Sequence, residues 1–233
     1  MEVELLAQES QANPLSYDVI VIGMGPVALN FCQQLKEHSP HLSLAVFGDE
    51  PWQPYNRVKL SSLVSGEIKE GSLYSSFRLD GQENITPYYN NRITHIDREA
   101  NSVTDSHART YYYSKLIIAT GSSPHVPAIE GVELKNVYCF RDLSDAQSLM
   151  GRSVRTRRTV VIGGGILGIE AARAMQRFNT KVHVIEHESR LLFKQLDDDA
   201  SVYLQDYIEQ QGIEVHIGSR VKYIEGTDQV ECV

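Results

Sequence analysis

The sequence predicts an α/β protein, because an apolar strand, a glycine-rich turn and a helix follow one another at two places. The first run is VIVIGMGPVALNF from Val19, and the second is VVIGGGILGIEAARAM from Val160. Each run leads into a second apolar strand that ends near an acidic residue. These three features are typical of a Rossmann-like dinucleotide-binding unit. We therefore expect two such domains in one chain.

The elements of the first domain follow in a regular order. Residues 1–16 are polar and are expected to form a flexible leader. A strand (17–22), the glycine turn, a helix (26–37) and a strand (42–47) then make a βαβ unit. Residues 85–113 are rich in tyrosine and β-branched residues, which favour a strand meander, and residues 116–119 predict a short buried strand.

The second half repeats this order after a loop. Gly121, Pro124, Pro127 and Gly131 mark that loop as the best candidate for a domain linker. Ser144 and Gln147 have the spacing of a capping box for a short helix. The remaining predicted elements are a strand (159–162), a helix (166–177), a strand (181–185), a helix (197–211), a strand (213–217) and a terminal hairpin.

The two glycine turns have the composition of phosphate-binding loops. In GMGPVA (23–28) and GGGILG (163–168) the first glycine permits a tight turn, and the second lets the backbone approach a pyrophosphate. The third small residue, Ala28 or Gly168, lets helix and strand pack closely. The helix N-terminus would then face the phosphates. A packing turn without a ligand is the alternative for either motif alone.

Acidic residues follow the second strand of each unit: Asp49 and Glu50 in the first, Glu186 in the second. A carboxylate there accepts hydrogen bonds from ribose hydroxyls and repels the extra phosphate of NADP. His187 and Glu188, rather than an arginine that could receive that phosphate, come directly after Glu186, which favours NADH. The alternative is that these acids are solvated residues at strand ends. Two dinucleotides in one chain are joined most simply by hydride transfer between a nicotinamide and a flavin.

Composition argues against several classes of protein. The net charge of -8, with 42% hydrophobic and 22% charged residues, indicates an ordinary globular protein without the basic surface that nucleic acids require. The sequence has neither a bilayer-length apolar run nor a secretory signal, so we expect a cytoplasmic protein with no membrane partner. Cys32, Cys139 and Cys232 lack CxxC spacing, so neither a disulfide framework nor a metal site is expected.

Together, the motifs resemble a known family. The segments FGDEPWQPYNRVKLSSLVSGE, LIIATGSSPHVPAIEG and VIEHESRLLFKQLD accompany the glycine turns in the order found in FAD- and NAD(P)H-dependent pyridine nucleotide reductases. From residue 17 to about 225 the chain most resembles the N-terminal reductase part of NAD(P)H nitrite reductase large subunits, with rubredoxin and ferredoxin reductases as relatives. The resemblance implies FAD in a domain at 17–145 and NAD(P)H, with NADH favoured, in a domain at 146–233.

The resemblance also implies which residues hold the cofactors. The positions for FAD are Gly23, Gly25, Pro26 and Val27 at the pyrophosphate, Asp49 or Glu50 at the ribose, and Arg57, Ser62, Thr120, Gly121 and Arg141 elsewhere on the cofactor. The positions for NAD are Gly163, Gly165, Ile166, Leu167, Gly168 and Glu186, with Glu170 as the catalytic residue close to nicotinamide and flavin. Plainer roles remain as alternatives: a solvated cation for Arg57, a cap for Arg141, a strand-ending turn for Thr120 and Gly121, and a first-turn partner of the helix dipole for Glu170.

Three departures from the family pattern matter. Ser62 stands where many ferredoxin reductases have a lysine near the flavin. Ser61, Ser62 and Ser65 occupy the region where related disulfide and peroxide reductases have cysteine, which disfavours a thiol relay. The family's final FAD-binding segment and interface domain have no counterpart here, so we expect the second domain to be truncated, in a segment of a longer protein or in a shortened one.

The predicted function is a flavoprotein oxidoreductase that passes hydride from NADH to FAD and then electrons to a metal-centre acceptor, as in the reductase part of assimilatory nitrite reductase. The acceptor would be an iron–sulfur, siroheme or rubredoxin-like domain or protein, and a homodimer is left open. The alternatives are a stand-alone rubredoxin or ferredoxin reductase or an NADH oxidase. A non-catalytic nucleotide-binding fragment is the alternative from another class.

Overall fold

The computed structural model describes residues 15–153, 156–178 and 180–233. The chain divides into two compact units. The first takes the chain up to Asn56 and Tyr74–Ser122, and the second takes Arg57–Leu73 and Ser123–Val233. The predicted leader lies outside the described residues except for Leu15 and Ser16, which begin the first strand.

The first unit is built on a six-stranded sheet with the strand order β3-β2-β1-β6-β5-β4. The strands are β1 (Leu15–Ile22), β2 (Leu44–Phe47), β3 (Ile85–Tyr88), β4 (Ile93–Asp97), β5 (Ser102–Asp105) and β6 (Thr110–Ile118). Helix α1 (Pro26–His38) connects β1 to β2. The pairs β3–β2, β2–β1 and β1–β6 are parallel, whereas β5 runs antiparallel to β4 and β6.

Two sequence predictions for this sheet were wrong in detail. The meander predicted over 85–113 holds only for β4 to β6, because β3 pairs in parallel with β2. The short strand predicted at 116–119 is the end of the nine-residue β6, which starts at Thr110. The tyrosine run that precedes it is part of the same strand, and its residues alternate between buried and more exposed positions as a pleated strand requires.

Both faces of the central strands are covered. Val21 packs with Ala28 and Cys32 of α1 on one face, and Ile20 packs with Tyr111 on the other. This arrangement explains why β1 and β2 end in continuous apolar runs rather than alternating with polar residues. Burial raises the pKa of the Cys32 thiol to about 12, so Cys32 stays protonated and packs as a small apolar residue.

A buried carboxylate, Asp105, anchors the turn between β5 and β6. Its Oδ1 accepts the backbone N–H groups of His107 and Arg109, each at 2.9 Å. Its Oδ2 accepts hydrogen bonds from Asn91 Nδ2 (3.1 Å), Arg109 Nε (2.8 Å) and the Tyr111 hydroxyl (3.0 Å). Burial opposes the charge, but these hydrogen bonds outweigh burial and hold the pKa of Asp105 well below its usual range.

The second unit contains a three-stranded parallel sheet with the order β7-β8-β9. Its strands are β7 (Arg158–Ile162), β8 (Lys181–Ile185) and β9 (Ile213–His216), and its helices are α2 (Leu60–Val64), α3 (Leu143–Ser153), α4 (Ile166–Gln176) and α5 (Asp198–Gln210). The predicted bounds of β7, α4, β8, α5 and β9 agree with these to within one residue at each end. Across the residues that the structure describes, every helix is too short or too polar to cross a lipid bilayer.

Helix α2 and the two 3-10 turns beside it, Arg57–Lys59 and Glu70–Leu73, were not predicted from the sequence. Their segment belongs to the second unit, where α2 packs against α3 and α4. Glu67 and Arg173 form an ion pair at 3.5 Å between this segment and α4. The three elements are each one turn or little more, so no helical periodicity could be read from the sequence.

The capping box of α3 uses other residues than predicted. Asp142 and Asp145, rather than Ser144 and Gln147, form it: Asp142 Oδ1 accepts the N–H of Asp145 at 2.8 Å, and Asp145 Oδ2 accepts the N–H of Asp142 at 3.3 Å. Burial raises the pKa of Asp145, and hydrogen bonds from the N–H groups of Arg141 and Asp142 oppose that rise. The predicted terminal hairpin is limited to an antiparallel bridge between Glu225 and Cys232.

Candidate functional site

The first glycine turn joins β1 to α1. Gly23 has a φ of +110°, and a Cβ there would lie 2.2 Å from the carbonyl oxygen of Ala119. Gly25 has an ordinary φ of -79°, and a Cβ there would meet nothing within 4 Å. The fold therefore requires glycine at position 23 but not at position 25. Because Gly25 has no side chain, the space in front of α1 stays open.

The N-terminus of α1 offers hydrogen-bond donors to that space. Gly25 is the N-cap, and no side chain caps the helix. Within the described part of the chain, the N–H groups of Val27 and Ala28 have no acceptor, and Val27 is 73% exposed. Pro26 occupies the first helical position and has no N–H, so it can contact a phosphate only through its ring. The helix start can thus bind an anion through its backbone and its dipole.

The second turn, between β7 and α4, has the same construction. Gly163 has a φ of +109°, whereas Gly165 is the uncapped N-cap with a φ of -77° and open space at its Cβ position. A Cβ on Gly168 would lie 2.0 Å from the carbonyl oxygen of Gly163, so this glycine lets helix and strand pack closely. Ile166 and Leu167, the first residues of the helix, are 53% and 72% exposed.

Matching backbone hydrogen bonds hold the two turns. The first glycine donates to the last residue of the second strand, Gly23 to Phe47 and Gly163 to Ile185, at 2.8 Å in both units. The carbonyl of the N-cap residue accepts a hydrogen bond from the N–H four residues later. Gly25 accepts from Leu29 and Gly165 from Ile169, at 3.0 Å in both units. The two units therefore share one backbone design for the turn.

A further pair of backbone hydrogen bonds aligns the residues that follow the second strand of each unit. The N–H of Gly48 donates to Tyr88 at 3.0 Å, and in the second unit the N–H of Glu186 donates to His216 at 2.8 Å. By this alignment Gly48 is the counterpart of Glu186, and Glu50 is the counterpart of Glu188. The acids singled out from the sequence in the two units are therefore not structurally equivalent.

The side chains at these aligned positions are complementary. In the first unit the residue after the strand is Gly48, and a Cβ there would lie 2.8 Å from the Met24 sulfur. In the second unit that position carries Glu186, and the middle turn residue is Gly164, whose Cβ would come within 3.1 Å of Glu186 Cβ. Each unit therefore has a pair made of the middle turn residue and the residue after the second strand: Met24 with Gly48, and Gly164 with Glu186. In each pair one residue is glycine, and the side chain of the other lies in the space next to it.

Glu186 is buried and already has partners. Its Oε2 accepts the N–H of Gly164 at 2.6 Å, and its Oε1 accepts the N–H of Glu188 at 2.8 Å. His187 Nδ1 lies 3.0 Å from the same Oε1. Each carboxylate oxygen has two lone pairs, so Glu186 can hold the turn and still accept a hydroxyl. The sequence predicted the position of this acid but gave no sign of its bond to the turn.

The two candidate acids of the first unit differ in their surroundings. Asp49 is exposed, whereas Glu50 is partly buried and accepts a hydrogen bond from the Tyr55 hydroxyl at 2.7 Å. The Thr120–Gly121 turn lies beside the glycine turn, because the Thr120 nitrogen is 2.9 Å from the Cβ position of Gly23. Gly121 has a φ of +73°, which explains the glycine at that position.

The other predicted site residues, Arg57, Ser62, Arg141 and Glu170, belong to the second unit. Ser62 Oγ donates to Glu67 at 3.1 Å. Glu170 accepts a hydrogen bond from Ser61 Oγ at 3.3 Å, a contact that the sequence did not reveal. The first turn of α4 contains no acidic residue, so the alternative that Glu170 complements the dipole from the first turn was wrong.

Comparison with known proteins identifies the family of this chain. Residues 17–233 match the family model described as pyridine nucleotide-disulphide oxidoreductase. The chain belongs to this family. Family members use FAD and NAD(P)H, so the cofactors predicted from the resemblance are those of the family. The predicted α/β fold with Rossmann-like units is likewise confirmed.

The similar proteins include subunits of nitrate and nitrite reductases. The chain is 36% identical over 198 residues to the assimilatory nitrate reductase electron transfer subunit of Bacillus subtilis (strain 168), which covers 84% of this chain and 26% of that protein. It is 32% identical over 213 residues to the NAD(P)H nitrite reductase large subunit of Klebsiella oxytoca, with 91% of this chain and 22% of that protein covered. The resemblance to nitrite reductases is thus confirmed, and the chain spans about a quarter of these relatives.

A solved structure with the same fold is the NAD-dependent persulfide reductase from A. fulgidus. It superimposes with a TM-score of 0.87 at 26% sequence identity, and the match covers 94% of this chain and 43% of that one. The open spaces at Gly25 and Gly165, each in front of uncapped helix N–H groups, fit the pyrophosphates of the family's two dinucleotides.

Proposed function

We propose that this chain is the reductase part of a flavoprotein oxidoreductase, with FAD at the first glycine turn and NADH at the second. The observation that carries the proposal is the pair of turns in which a glycine unneeded by the fold, Gly25 or Gly165, opens onto a solvent-facing helix N-terminus. A turn that only packed a strand against a helix would need neither feature. The family membership of residues 17–233 supports the same proposal.

In the first unit, the N–H groups of Gly25, Val27 and Ala28 would bind the FAD pyrophosphate. Glu50 or Asp49 would accept the ribose hydroxyls, and the Thr120–Gly121 turn, which contacts Gly23, would close against the cofactor. Pro26 presets the helical φ of the first residue, so the donors behind it are oriented before a ligand arrives. Arg57, Ser62 and Arg141 remain proposed contacts of the flavin end of the cofactor.

In the second unit, the N–H groups of Gly165, Ile166 and Leu167 would bind the pyrophosphate of NADH. Glu186 would accept the ribose hydroxyls, and its negative charge would repel the 2′-phosphate of NADPH. The bonds from Gly164 and Glu188 hold this carboxylate in place before the coenzyme binds. Glu170, oriented by the Ser61 hydroxyl, is the proposed catalytic residue beside the nicotinamide.

When bound, NADH supplies a hydride and FAD accepts it and can release electrons singly. The protein then needs to bind, orient and shield rather than to supply an acid, base or nucleophile. We propose a metal centre as the acceptor, of the iron–sulfur, siroheme or rubredoxin type. The relatives named as nitrite reductases, and a rubredoxin-NAD(+) reductase of Ectopseudomonas oleovorans with 30% identity over 212 residues, support this choice.

The direct test is the colour of the protein. The full chain, loaded with FAD, is expected to be yellow, and NADH added anaerobically should bleach the flavin absorption. A ferredoxin or rubredoxin should then restore the colour faster than air does, which would exclude an NADH oxidase. Failure to hold FAD, or a flavin that NADH leaves oxidised, would contradict the proposal and favour a non-catalytic nucleotide-binding fragment.

A charge substitution tests the assignment of Glu186. Glu186→Gln keeps an oxygen for the Gly164 N–H but removes the charge, so the ratio of NADH to NADPH affinity should fall roughly tenfold, about 1.4 kcal/mol. Calorimetric titration with both coenzymes measures this ratio. Glu188→Gln is the matched control on the same loop, and its ratio should stay near that of the wild type. An equal change in both variants would remove Glu186 from its proposed role.

A further inference from the structure

Two histidines and a glutamate meet on one face of the sheet in the second unit. His183 lies on β8, and Glu214 is its direct partner on the neighbouring strand β9. His216 lies two residues beyond Glu214, so strand alternation places it on the same face. The ladder between β8 and β9 fixes the three backbone positions, and this His–Glu–His cluster therefore does not depend on a mobile loop.

Two distances within the cluster are those of ligands around one ion. His183 Nδ1 lies 3.2 Å from His216 Nε2 and 3.3 Å from Glu214 Oε2, and one ligand atom from each residue lies within 4.8 Å of the others. In a tetrahedral zinc site with bonds of about 2.0–2.1 Å, neighbouring ligand atoms are about 3.3 Å apart. Two of the three spacings therefore match without any movement of the chain.

Hydrogen bonding alone serves the cluster poorly. His183 Nδ1 faces both an imidazole nitrogen and a carboxylate oxygen, but a neutral ring nitrogen carries at most one proton. If Nδ1 donates, its single proton is shared between two acceptors, and if it accepts, its lone pair faces the carboxylate. A divalent cation satisfies the lone pairs of all three groups at once.

Access and charge are also suitable for a cation. The side chain of His183 is 22% exposed and that of Glu214 is 55% exposed, so water can reach the cluster and complete a coordination shell. Lys181 competes for the carboxylate: its Nζ lies 3.9 Å from Glu214 Oε1, and its side chain is 74% exposed. An ion pair at such an exposed position is weak and leaves the carboxylate available.

We propose that His183, Glu214 and His216 form a binding site for a divalent transition metal, with zinc as the reference ion. Two imidazoles and one carboxylate are ligands that zinc accepts, and water supplies the remaining position. Because the ligands come from two strands, the ion would also link β8 to β9. None of the three side chains is among the proposed coenzyme contacts, although the His216 carbonyl accepts the N–H of Glu186 at 2.8 Å, and the proposal does not depend on the proposed redox function.

The experiment is a zinc titration of the full chain, made metal-free beforehand, against a chromogenic chelator, with Co²⁺ absorption as a second readout. Wild-type protein is expected to bind one equivalent, and His216→Ala and Glu214→Gln should each weaken binding at least tenfold. His95→Ala, which removes an exposed strand histidine from the first unit, is the matched control and should bind like the wild type. The visible Co²⁺ bands should be lost in the same variants that lose zinc.

Zinc should also raise the unfolding temperature of the wild type and leave that of His216→Ala unchanged, since an ion bound only to the folded state stabilises it. The three side chains are exposed or partly exposed, so their removal should leave the metal-free protein folded, which circular dichroism checks. The proposal is overturned if the wild type takes up no zinc. It is also overturned if binding is lost in His187→Ala, near Glu186 and Glu188, and kept in His216→Ala.

Discussion

Replacing Gly165 with alanine is expected to remove pyridine nucleotide binding while leaving the fold intact. A Cβ at this position meets no atom within 4 Å, and the φ of -77° suits any residue. The unfolding free energy should therefore fall by less than about 1 kcal/mol. A methyl group would, however, occupy the space through which the pyrophosphate reaches the N–H groups of α4. Affinity for NADH should fall at least a hundredfold, about 2.7 kcal/mol.

Gly168→Ala is the matched variant from the same turn and should reduce the stability of the fold. Its Cβ would lie 2.0 Å from the Gly163 carbonyl oxygen, so helix and strand must separate. We expect a loss of about 3 kcal/mol in unfolding free energy, measured by urea denaturation. Coenzyme affinity is measured on both variants by fluorescence titration. Wild-type NADH affinity in Gly165→Ala would show that the pyrophosphate does not bind at this turn.

Asp105→Asn should be among the most destabilising single substitutions in the first unit. All five hydrogen bonds to Asp105 are donated by its partners, two to Oδ1 and three to Oδ2. The asparagine amide keeps the shape of the carboxylate, but its NH₂ group would replace one of these oxygens and would face N–H or O–H donors instead of accepting from them. We expect the unfolding free energy to fall by about 3–4 kcal/mol in chemical denaturation. Asp97→Asn is the control, because Asp97 also accepts two backbone N–H groups but lies at the surface, and its effect should be small.

The same variant should change the acid stability of the protein. The folded-state pKa of Asp105 is lowered, so its stabilisation is fully present above the unfolded pKa of about 4 and is lost as the pH falls through the folded pKa. The wild type should therefore lose unfolding free energy below about pH 4. Asp105→Asn should lose less over that range. Parallel pH profiles for the two proteins would contradict this account.

The sequence was sufficient for the elements that carry long or repeated patterns. The glycine turns, α1, α4 and the strands beside them follow from apolar runs and from glycine spacing, and both are local signals. The segment 57–73 was not predicted, since α2 and its 3-10 turns are too short for a periodic pattern and gain their stability from packing on α3 and α4. The cap of α3 was misassigned because two overlapping pairs of polar residues have the same spacing, and the helix begins at Leu143, directly after Asp142 of the first pair.

The parts of the sites that the sequence did not predict depend on contacts between distant residues. No local sequence pattern indicates that Glu186 accepts a hydrogen bond from the Gly164 N–H. Nor does one indicate that Ser61 donates to Glu170, more than a hundred residues away in the chain. The His–Glu–His cluster was missed for the same reason. Cysteine spacing carries no information on this cluster, and His183 meets Glu214 and His216 only through the register of β8 and β9.

The complementary pairs Met24/Gly48 and Gly164/Glu186 limit how either nucleotide pocket can be redesigned. A Cβ at position 48 would lie 2.8 Å from the Met24 sulfur, and a Cβ at position 164 would lie 2.4 Å from Leu191 Cδ2 and 3.1 Å from Glu186 Cβ. A change at either glycine is therefore tied to the side chains that it faces. A side chain at position 48 requires Met24 to move or to become smaller, and a side chain at position 164 requires the same of both Leu191 and Glu186.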